Sequence, residues 1–198
     1  NTLANGIAWY YRNEATPFVF RAVNRLDRDT SGLVLLAKNP YSSCVLSDAV
    51  KDHTIHREYA AIVSGKTDAS GTIDLPIARK DGSTIERVCD PERGETAVTH
   101  YRTFAYNKDA DISFIRLLLE TGRTHQIRVH MKAIGHPLPG DFLYCPDYRF
   151  IDRQPLHSTY LRFSHPVTGE KLEFSASLPE DMRKLFPDIK NPSGPVFF

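Results

Sequence analysis

The feature that most constrains the fold is a pair of strand-like segments near the middle of the chain. Residues 97–106 alternate between two faces, with Val98 and Phe104 on one face and Tyr101 on the other. This is the two-residue period of a β-strand. The apolar run ISFIRLLL (residues 112–119) follows after the turn-forming residues Lys-Asp-Ala-Asp. The sequence therefore predicts an antiparallel hairpin over these residues.

Further strands and a few helices are predicted around this hairpin. Strands are expected at residues 33–38, 57–64, 158–164 and 171–177, and helices at residues 41–50, from an N-cap at Thr124 to Gly135, and at 180–186. The segment 66–96 is rich in Gly, Pro, Asp and Arg, which predicts loops with a short strand at TIDLPI. Strands and helices do not alternate regularly. We therefore expect an α+β fold, with a mixed, mostly antiparallel central β-sheet flanked by helices and loops.

Length and composition are those of an ordinary globular protein. At 198 residues, with 41% hydrophobic and 25% charged residues, the chain fits one domain with a sizeable core. No apolar stretch is long enough for a transmembrane helix, and no basic-then-apolar leader opens the chain. Three cysteines at scattered spacings argue against a disulfide framework or a zinc knuckle. We expect a cytoplasmic, monomeric protein with no membrane partner.

The charge pattern is more informative than the net charge of +1. Between residues 116 and 136, four cations stand against the single anion Glu120, and three histidines share this window. The cations are Arg116, Arg123, Arg128 and Lys132, and the histidines are His125, His130 and His136. A nearly neutral chain with such a segment can still present one basic face to a polyanion.

The segment NRLDRDTSGL (residues 24–33) places Asp27 between Arg25 and Arg28, with Asp29 two residues further on. One interpretation is a polar surface turn, since Asp, Thr, Ser and Gly all favour turns. Another is an ionised carboxylate that acts at a sugar carbon, as nucleophile or as electrostatic stabiliser. In that case Asp29 is a candidate for the second carboxylate of a glycosidase. The spacing leaves these interpretations open.

A second polar segment, TGRTHQIRVH (residues 121–130), precedes and begins the predicted helix. Backbone amides at a helix start, together with Arg123 and Arg128, predict an anion site, although an exposed polar helix face with ordinary capping has the same pattern. His125 and His130 are five residues apart, which does not match the i, i+4 pair of a zinc-binding helix. We expect no metal site.

Tyr59 lies in the predicted strand REYAAIVS (residues 57–64). It is either a core aromatic or, if it faces a site, a phenol that stacks on a base or acts as a general base. The phosphate-binding motifs GxxxxGK[ST] and GxGxxG, the GxSxG elbow and the CxxC pair are absent from the sequence. Nucleotide-hydrolysing, dinucleotide-binding and serine-hydrolase functions are therefore not favoured.

Taken together, four stretches of the chain resemble the RluA-type pseudouridine synthases. NRLDRDTSGLVLLAK resembles the catalytic motif HRLDxxTSGxxxxAK of that family, and three further stretches follow in the family's order: REYAAIVSG, TGRTHQIRVHMKAIGHPLPGD and RQPLHSTYLRFSHPVTGE. They span about residues 20–175. The resemblance implies an isomerase that needs no cofactor and converts uridine in rRNA or tRNA to pseudouridine, with RNA as its partner.

The resemblance also implies roles for individual residues. Asp27 matches the essential aspartate, Tyr59 the active-site tyrosine, and Arg123 the arginine that pairs with the aspartate. Arg25 matches the arginine that helps displace and hold the target base. Contacts to RNA are also expected from Arg28, Thr30, His125, Gln126 and Arg128.

Two departures from the family pattern stand out. Asn24 occupies the usual histidine position, where it is expected to donate a hydrogen bond and shift local RNA contacts. The family's segment resembling "vvnKPaG" and its small RNA-binding domain are not found ahead of the catalytic motif, so we expect residues 1–198 to form a single catalytic domain that lacks its N-terminal strands.

Alternative functions are an inactive RNA-binding or assembly factor of the same fold, and a nucleoside or glycoside hydrolase, which would release free uracil.

Overall fold

The computed structural model describes residues 2–13, 18–189 and 194–197. Its helices are α1 (Leu3–Tyr10), α2 (Pro40–Lys51), α3 (Gln126–Ala133) and α4 (Glu180–Leu185). Its strands are β1 (Ser31–Gly32), β2 (His56–Ser64), β3 (Ser70–Asp74), β4 (Ile77–Arg79), β5 (Arg87–Cys89), β6 (Val98–Asn107), β7 (Ile112–Leu119), β8 (Leu156–Ser164) and β9 (Lys171–Ser175). No helix within these ranges combines the length and the apolar character that crossing a membrane requires.

Seven of the strands form one sheet in the order β1-β8-β2-β7-β6-β3, with β9 also paired to β8. The short β1–β8 pair is parallel, and the other pairs of this sheet are antiparallel. Strands β4 and β5 form a separate hairpin. The predicted α+β class, with a mostly antiparallel central sheet flanked by helices, is confirmed, and so is the β6–β7 hairpin.

The centre of the sheet is buried on both faces, which explains why its strands are almost continuously apolar. On one face Ala61 of β2 and Leu117 of β7 pack with Met131 of α3. On the other face Ile62 and Phe114 lie in the same cluster as Met182 of α4. Helix α3, with the polar segment that precedes it, is thus anchored directly over β2 and β7.

The predicted strand at residues 33–38 is wrong. The strand is confined to Ser31–Gly32, and beyond it only an isolated bridge joins Ala22 to Leu36. The physical reason is that two strands share one edge of β8. Strand β1 pairs with the first residues of β8, and β9 pairs with β8 from Tyr160 onward, so no room is left for a longer β1. The apolar residues that follow Gly32 therefore turn away and pack against α2, in a cluster that includes Leu33, Leu35 and Leu46.

The start of α3 also differs from its prediction. The helix begins at Gln126, and its N-cap is His125 rather than Thr124. His125 adopts a left-handed conformation, with φ 59°, and its side chain makes no capping hydrogen bond. Ile127 and Met131 are buried as their helical spacing predicts, and Gly135 at φ 86° ends the helix. The short strand near TIDLPI is present as β3 at Ser70–Asp74, whereas the β4–β5 hairpin was not predicted.

Candidate active site

Most of the polar residues singled out in the sequence line one cleft of about 900 Å³. The cleft lies between the segment before β1, the first residues of β2 and the segment before α3. Its wall includes eight of the nine predicted site residues: Arg25, Asp27, Arg28, Thr30, Tyr59, Arg123, His125 and Gln126. Arg128 lies behind this wall and is 1% exposed at its side chain. Residues almost a hundred positions apart are therefore brought together, and a cleft of this size suits a small ligand or one nucleotide.

The Asp27 carboxylate is held from behind by Arg128. Nη1 of Arg128 donates to Oδ2 of Asp27 at 3.0 Å, while Nε and Nη2 bind the two carboxylate oxygens of Asp141 at 2.6 and 2.8 Å. Burial lowers the pKa of Arg128, but the two carboxylates more than offset this and the pKa is raised. The Asp27 side chain remains 23% exposed. A fixed cation thus orients a carboxylate that stays accessible from the cleft.

The expected pairing of Arg123 with Asp27 is wrong, because Arg128 takes that position. Nη1 of Arg123 binds Oε2 of Glu95 at 2.5 Å, and its Nε donates to the carbonyl of Thr96 at 3.0 Å. Arg123 stands two residues before the left-handed N-cap His125, and its side chain is 39% exposed. The helical period could have predicted the burial of Arg128. It stands three residues before the buried Met131, so both residues lie on the inward face of α3.

Two of the residues expected to contact RNA are buried in the protein instead. Arg128 is enclosed between its two carboxylates. Gln126 uses its whole amide internally: Nε2 donates to Val98 O and Thr99 Oγ1, both at 3.0 Å, and Oε1 accepts from Thr121 Oγ1 at 2.7 Å and from the Arg123 N–H at 2.9 Å. Gln126 therefore ties the segment before α3 to β6 rather than offering hydrogen bonds to a ligand.

His125 is half-buried in the cleft wall, where its ring contacts Tyr144. The Tyr144 hydroxyl accepts from the Arg87 N–H at 2.9 Å and lies 2.9 Å from Nδ1 of His125. Because the hydroxyl already accepts from Arg87, its own hydrogen is available to Nδ1, and this arrangement places the hydrogen of His125 on Nε2. Burial lowers the pKa of His125, and it raises the pKa of Tyr144 to about 12. His125 is thus a neutral imidazole at neutral pH.

Tyr59 contributes a buried phenol to the cleft wall, with 6% of its surface exposed. Burial raises the pKa of Tyr59, the charge of Asp27 acts in the same direction, and Arg57 and a hydrogen bond with Ser158 oppose it. Ser158 of β8 lies opposite Tyr59 of β2 on one side and opposite Gly32 of β1 on the other. This register brings the Asp27 segment beside Tyr59.

The loop that carries Asp27 is a tight turn supported by residues from the segment before β8. The Thr30 N–H donates to the Asp27 carbonyl at 3.1 Å, and Asp29 between them has φ 66°. Nη1 of Arg153 donates to the Asp29 carbonyl at 3.0 Å, and the amide of Gln154 donates to the Arg28 carbonyl and to Thr30 Oγ1. Thr30 is therefore part of the turn as well as of the cleft wall.

The arginines of this loop face outward. Arg25 is exposed and lines the cleft, and the Arg28 side chain is 87% exposed, 3.6 Å from the carboxylate of Asp29. Asn24 behaves differently from the expectation: it is buried, and its Oδ1 accepts a hydrogen bond from the Leu35 N–H at 2.7 Å. Asn24 thus stabilises the turn into β1.

Several residues that complete the site were not predicted from the sequence, namely Arg57, Asp141, Tyr144, Arg153, Gln154 and Ser158. Asp141 ends one of the stretches that carries the family resemblance, which was an available signal. Gln154 precedes a strand and looks like an ordinary loop residue, so no local pattern identifies it. Within the described residues, no group of three or more His, Cys, Asp or Glu side chains is arranged to hold a metal ion.

The chain is similar to known proteins. Residues 8–133 match the family model described as RNA pseudouridylate synthase. The chain is 47% identical over 185 residues to an uncharacterized RNA pseudouridine synthase of Bacillus subtilis, YjbO, covering 93% of this chain and 64% of the relative. It is 39% identical over 206 residues to the ribosomal large subunit pseudouridine synthase D of Zymomonas mobilis, covering 94% and 62%.

A solved structure is similar as well. Human RNA pseudouridylate synthase domain containing 1 superposes with a TM-score of 0.70 at 28% identity, over 80% of this chain and 69% of that one. The chain spans about three fifths of the length of the curated relatives it matches. The matches confirm the resemblance to the RluA type that the sequence motifs indicate. The chain belongs to the RNA pseudouridylate synthase family.

Proposed function

We propose that this chain isomerises uridine in RNA to pseudouridine, with Asp27 as the catalytic carboxylate. The observation that carries the proposal is the Asp27–Arg128–Asp141 arrangement, in which a buried guanidinium holds a carboxylate that stays accessible from a nucleotide-sized cleft. The relative from Zymomonas mobilis is named for the ribosomal large subunit, which makes rRNA the first substrate to test and tRNA the second. The reaction is proposed to take place in the cytoplasm.

The chemistry explains why this arrangement is suitable. A uracil stacked in RNA shields its sugar carbon, so the nucleotide must leave the stack before a side chain can reach it. Arg25 is exposed and lines the cleft, and its planar guanidinium is proposed to fill the vacated stack. As the bond between C1′ and N1 breaks, positive charge develops at C1′, and the Asp27 carboxylate stabilises that charge.

The base then rotates and joins C1′ through C5. Tyr59 lines the cleft, and its ring is proposed to cover the uracil while its hydroxyl takes part in proton transfer. The uracil is both leaving group and nucleophile, so atoms balance without water, and C5 loses the proton that N1 gains. Arg123 and His125 border the same space and are proposed to contact the bound RNA.

Replacement of the carboxylate tests the proposal. Asp27→Asn keeps the shape and removes the charge, so pseudouridine formation is expected to fall by roughly 10³-fold or more, while RNA binding largely survives. The measurement maps pseudouridines in RNA from cells that carry the wild-type or the variant gene, with binding measured on the purified protein. Full turnover by Asp27→Asn would exclude Asp27 as the catalytic carboxylate.

A matched variant separates isomerisation from hydrolysis. Asp29→Asn retains a residue that tolerates positive φ, and the loop uses only the Asp29 backbone carbonyl in its contact with Arg153. An isomerase is expected to keep its activity in this variant and to release no free uracil. A two-carboxylate hydrolase would lose activity with Asp29→Asn, and its wild-type form would release uracil.

A further inference from the structure

Arg57 is a buried arginine in the wall of the catalytic cleft. Only 8% of its surface is exposed, and it lines the same cleft as Asp27 and Tyr59. Its buried Nε has no hydrogen-bond partner, and no carboxylate within the described residues forms an ion pair with its guanidinium. An arginine keeps its positive charge at any pH relevant to a protein. Among the described residues, the guanidinium is therefore a buried cation that no protein carboxylate pairs with.

The other two buried arginines of the sheet and α3 each bind a carboxylate of the protein. Arg116, which is fully buried, binds the buried carboxylate of Glu58 at 2.6 Å. Arg128 binds Asp141 at 2.6 Å in addition to Asp27. Burying a charge is costly unless a partner offsets it. Because Arg57 alone of these three lines the cleft, its missing anion is expected to come from a ligand.

Arg57 lies beside Tyr59 and Gly122 in the wall of the cleft. Arg57 and Tyr59 are two residues apart on β2, so their side chains lie on the same face of the strand. The guanidinium also lies close to Gly122, where an added Cβ would be 3.3 Å from Nη1 and 3.4 Å from Nη2. Gly122 lines the cleft as well, so the Arg57 guanidinium is held in the cleft wall between this glycine and Tyr59.

We propose that Arg57 binds a phosphodiester oxygen of the RNA nucleotide in the cleft and thereby places its C1′ against Asp27. The guanidinium fork matches the oxygens of a phosphate group and binds them through paired, charge-assisted hydrogen bonds. Uracil is neutral, so the phosphodiester is the part of the nucleotide that neutralises Arg57. The inference rests on the proposed function, because it takes the occupant of the cleft to be RNA.

Salt dependence of RNA binding tests the phosphate contact. Each phosphate contact to single-stranded RNA contributes about 0.7 to the slope of log K against log salt concentration. Arg57→Met is expected to weaken binding of a short oligouridylate RNA roughly tenfold or more at low salt and to reduce that slope by about 0.7. Arg57→Lys keeps the charge, so most of the slope is expected to return. Arg183→Met removes an exposed arginine of α4, outside the cleft, and serves as the matched control.

Thermal stability separates a ligand-binding arginine from a structural one. Replacing an unpaired buried charge by an apolar side chain of similar length is expected to leave the melting temperature unchanged or to raise it. A structural arginine would give a lower melting temperature. Inorganic phosphate is expected to raise the melting temperature of the wild-type protein and not that of Arg57→Met.

Three results would overturn the inference: an unchanged salt slope in Arg57→Met, the same loss of slope in Arg183→Met, or a lower melting temperature in Arg57→Met. A phosphate effect through Arg57 without a change in the RNA slope would show that the site holds a free anion and not the RNA backbone. The binding and melting-temperature measurements do not require the protein to form pseudouridine. A failure of Asp27 to support pseudouridine formation is therefore distinguishable from a failure of Arg57 to bind phosphate.

Discussion

At the scale of single residues, burial decides which arginine supports Asp27. Arg123 and Arg128 are five positions apart in the same polar segment. The sequence around them does not show which of the two is buried. Arg128 lies on the inward face of α3 between two carboxylates, whereas Arg123 is 39% exposed and pairs with the exposed Glu95. Their substitution should therefore have very different consequences.

We expect Arg128→Met to lower the free energy of unfolding by about 3–5 kcal/mol, because it leaves the fully buried Asp141 as an unpaired charge. Arg123→Met is the matched control. Its ion pair is exposed to solvent, so its loss is expected to cost less than about 1 kcal/mol. Urea unfolding of both variants measures the difference. Equal costs would contradict the assignment of Arg128 as the buried partner.

The two variants should also differ in catalysis. Arg128→Met removes the cation that orients Asp27, so turnover is expected to fall even at temperatures where the variant is folded. Arg123→Met is expected to change the apparent affinity for RNA more than the turnover rate, because Arg123 borders the cleft without touching Asp27. Single-turnover rates measured at saturating RNA separate the two effects.

At the scale of elements, the site depends on a two-residue strand. Strand β1 joins the edge of β8 at His157 and Ser158, and this pairing fixes the end of the loop that carries Asp27. Gly32 has φ 108°, and a Cβ there would lie 2.2 Å from the Ser158 carbonyl oxygen. A side chain at this position would push β1 off the sheet, since the contact is with backbone and not with a movable side chain.

We expect Gly32→Ala to destabilise the protein more than Gly135→Ala. Both glycines have positive φ, and both variants are strained by about 1 kcal/mol or more for that reason. A Cβ at Gly135 meets nothing within 4 Å, so Gly32→Ala carries the steric cost in addition, about 1–3 kcal/mol. Thermal unfolding compares them, and turnover is expected to fall only for Gly32→Ala. A larger effect of Gly135→Ala would contradict the role of β1.

The errors of element prediction have a common cause. Residues 33–38 have the composition of a strand, but β9 occupies the edge of β8 along which they would have continued. Likewise, Thr124 has the composition of an N-cap, but the helix starts after His125 because Gln126 fixes the preceding turn through its hydrogen bonds. Local propensity is a weak guide where tertiary pairing competes with it.

At the scale of the whole molecule, buried histidines are expected to make stability depend on pH. His130 is fully buried: its Nε2 lies 2.9 Å from the Leu75 carbonyl and its Nδ1 2.9 Å from Thr99 Oγ1, an environment that fits the neutral ring. Burial lowers the pKa of His130, of His157 and of the half-buried His125 below the ordinary 6.5. The folded protein therefore binds fewer protons than the unfolded chain just below pH 6.5.

The stabilisation that these three histidines contribute is therefore fully present above about pH 6.5, and it is lost as the pH falls below that value. Each histidine that titrates only in the unfolded chain contributes up to about 1.4 kcal/mol per pH unit. Urea unfolding at pH 7.5, 6.5 and 5.5 measures this loss before carboxylates such as Glu58, whose pKa is lowered on balance, begin to titrate. His130→Gln is expected to reduce the slope. A flat profile over this range would contradict the prediction.

The sequence by itself determined the α+β class, the central hairpin and the family resemblance, and it singled out Asp27 and Tyr59 as candidates. These follow from periodicities of two and 3.6 residues and from motifs that are contiguous in the chain. Only the tertiary structure decided that Arg128 and not Arg123 holds Asp27, that Gln126 is internal, and that the buried Arg57 has no ion-pair partner among the described residues. The physical reason is that pairing and desolvation depend on which distant segments meet, and local sequence patterns carry no record of that.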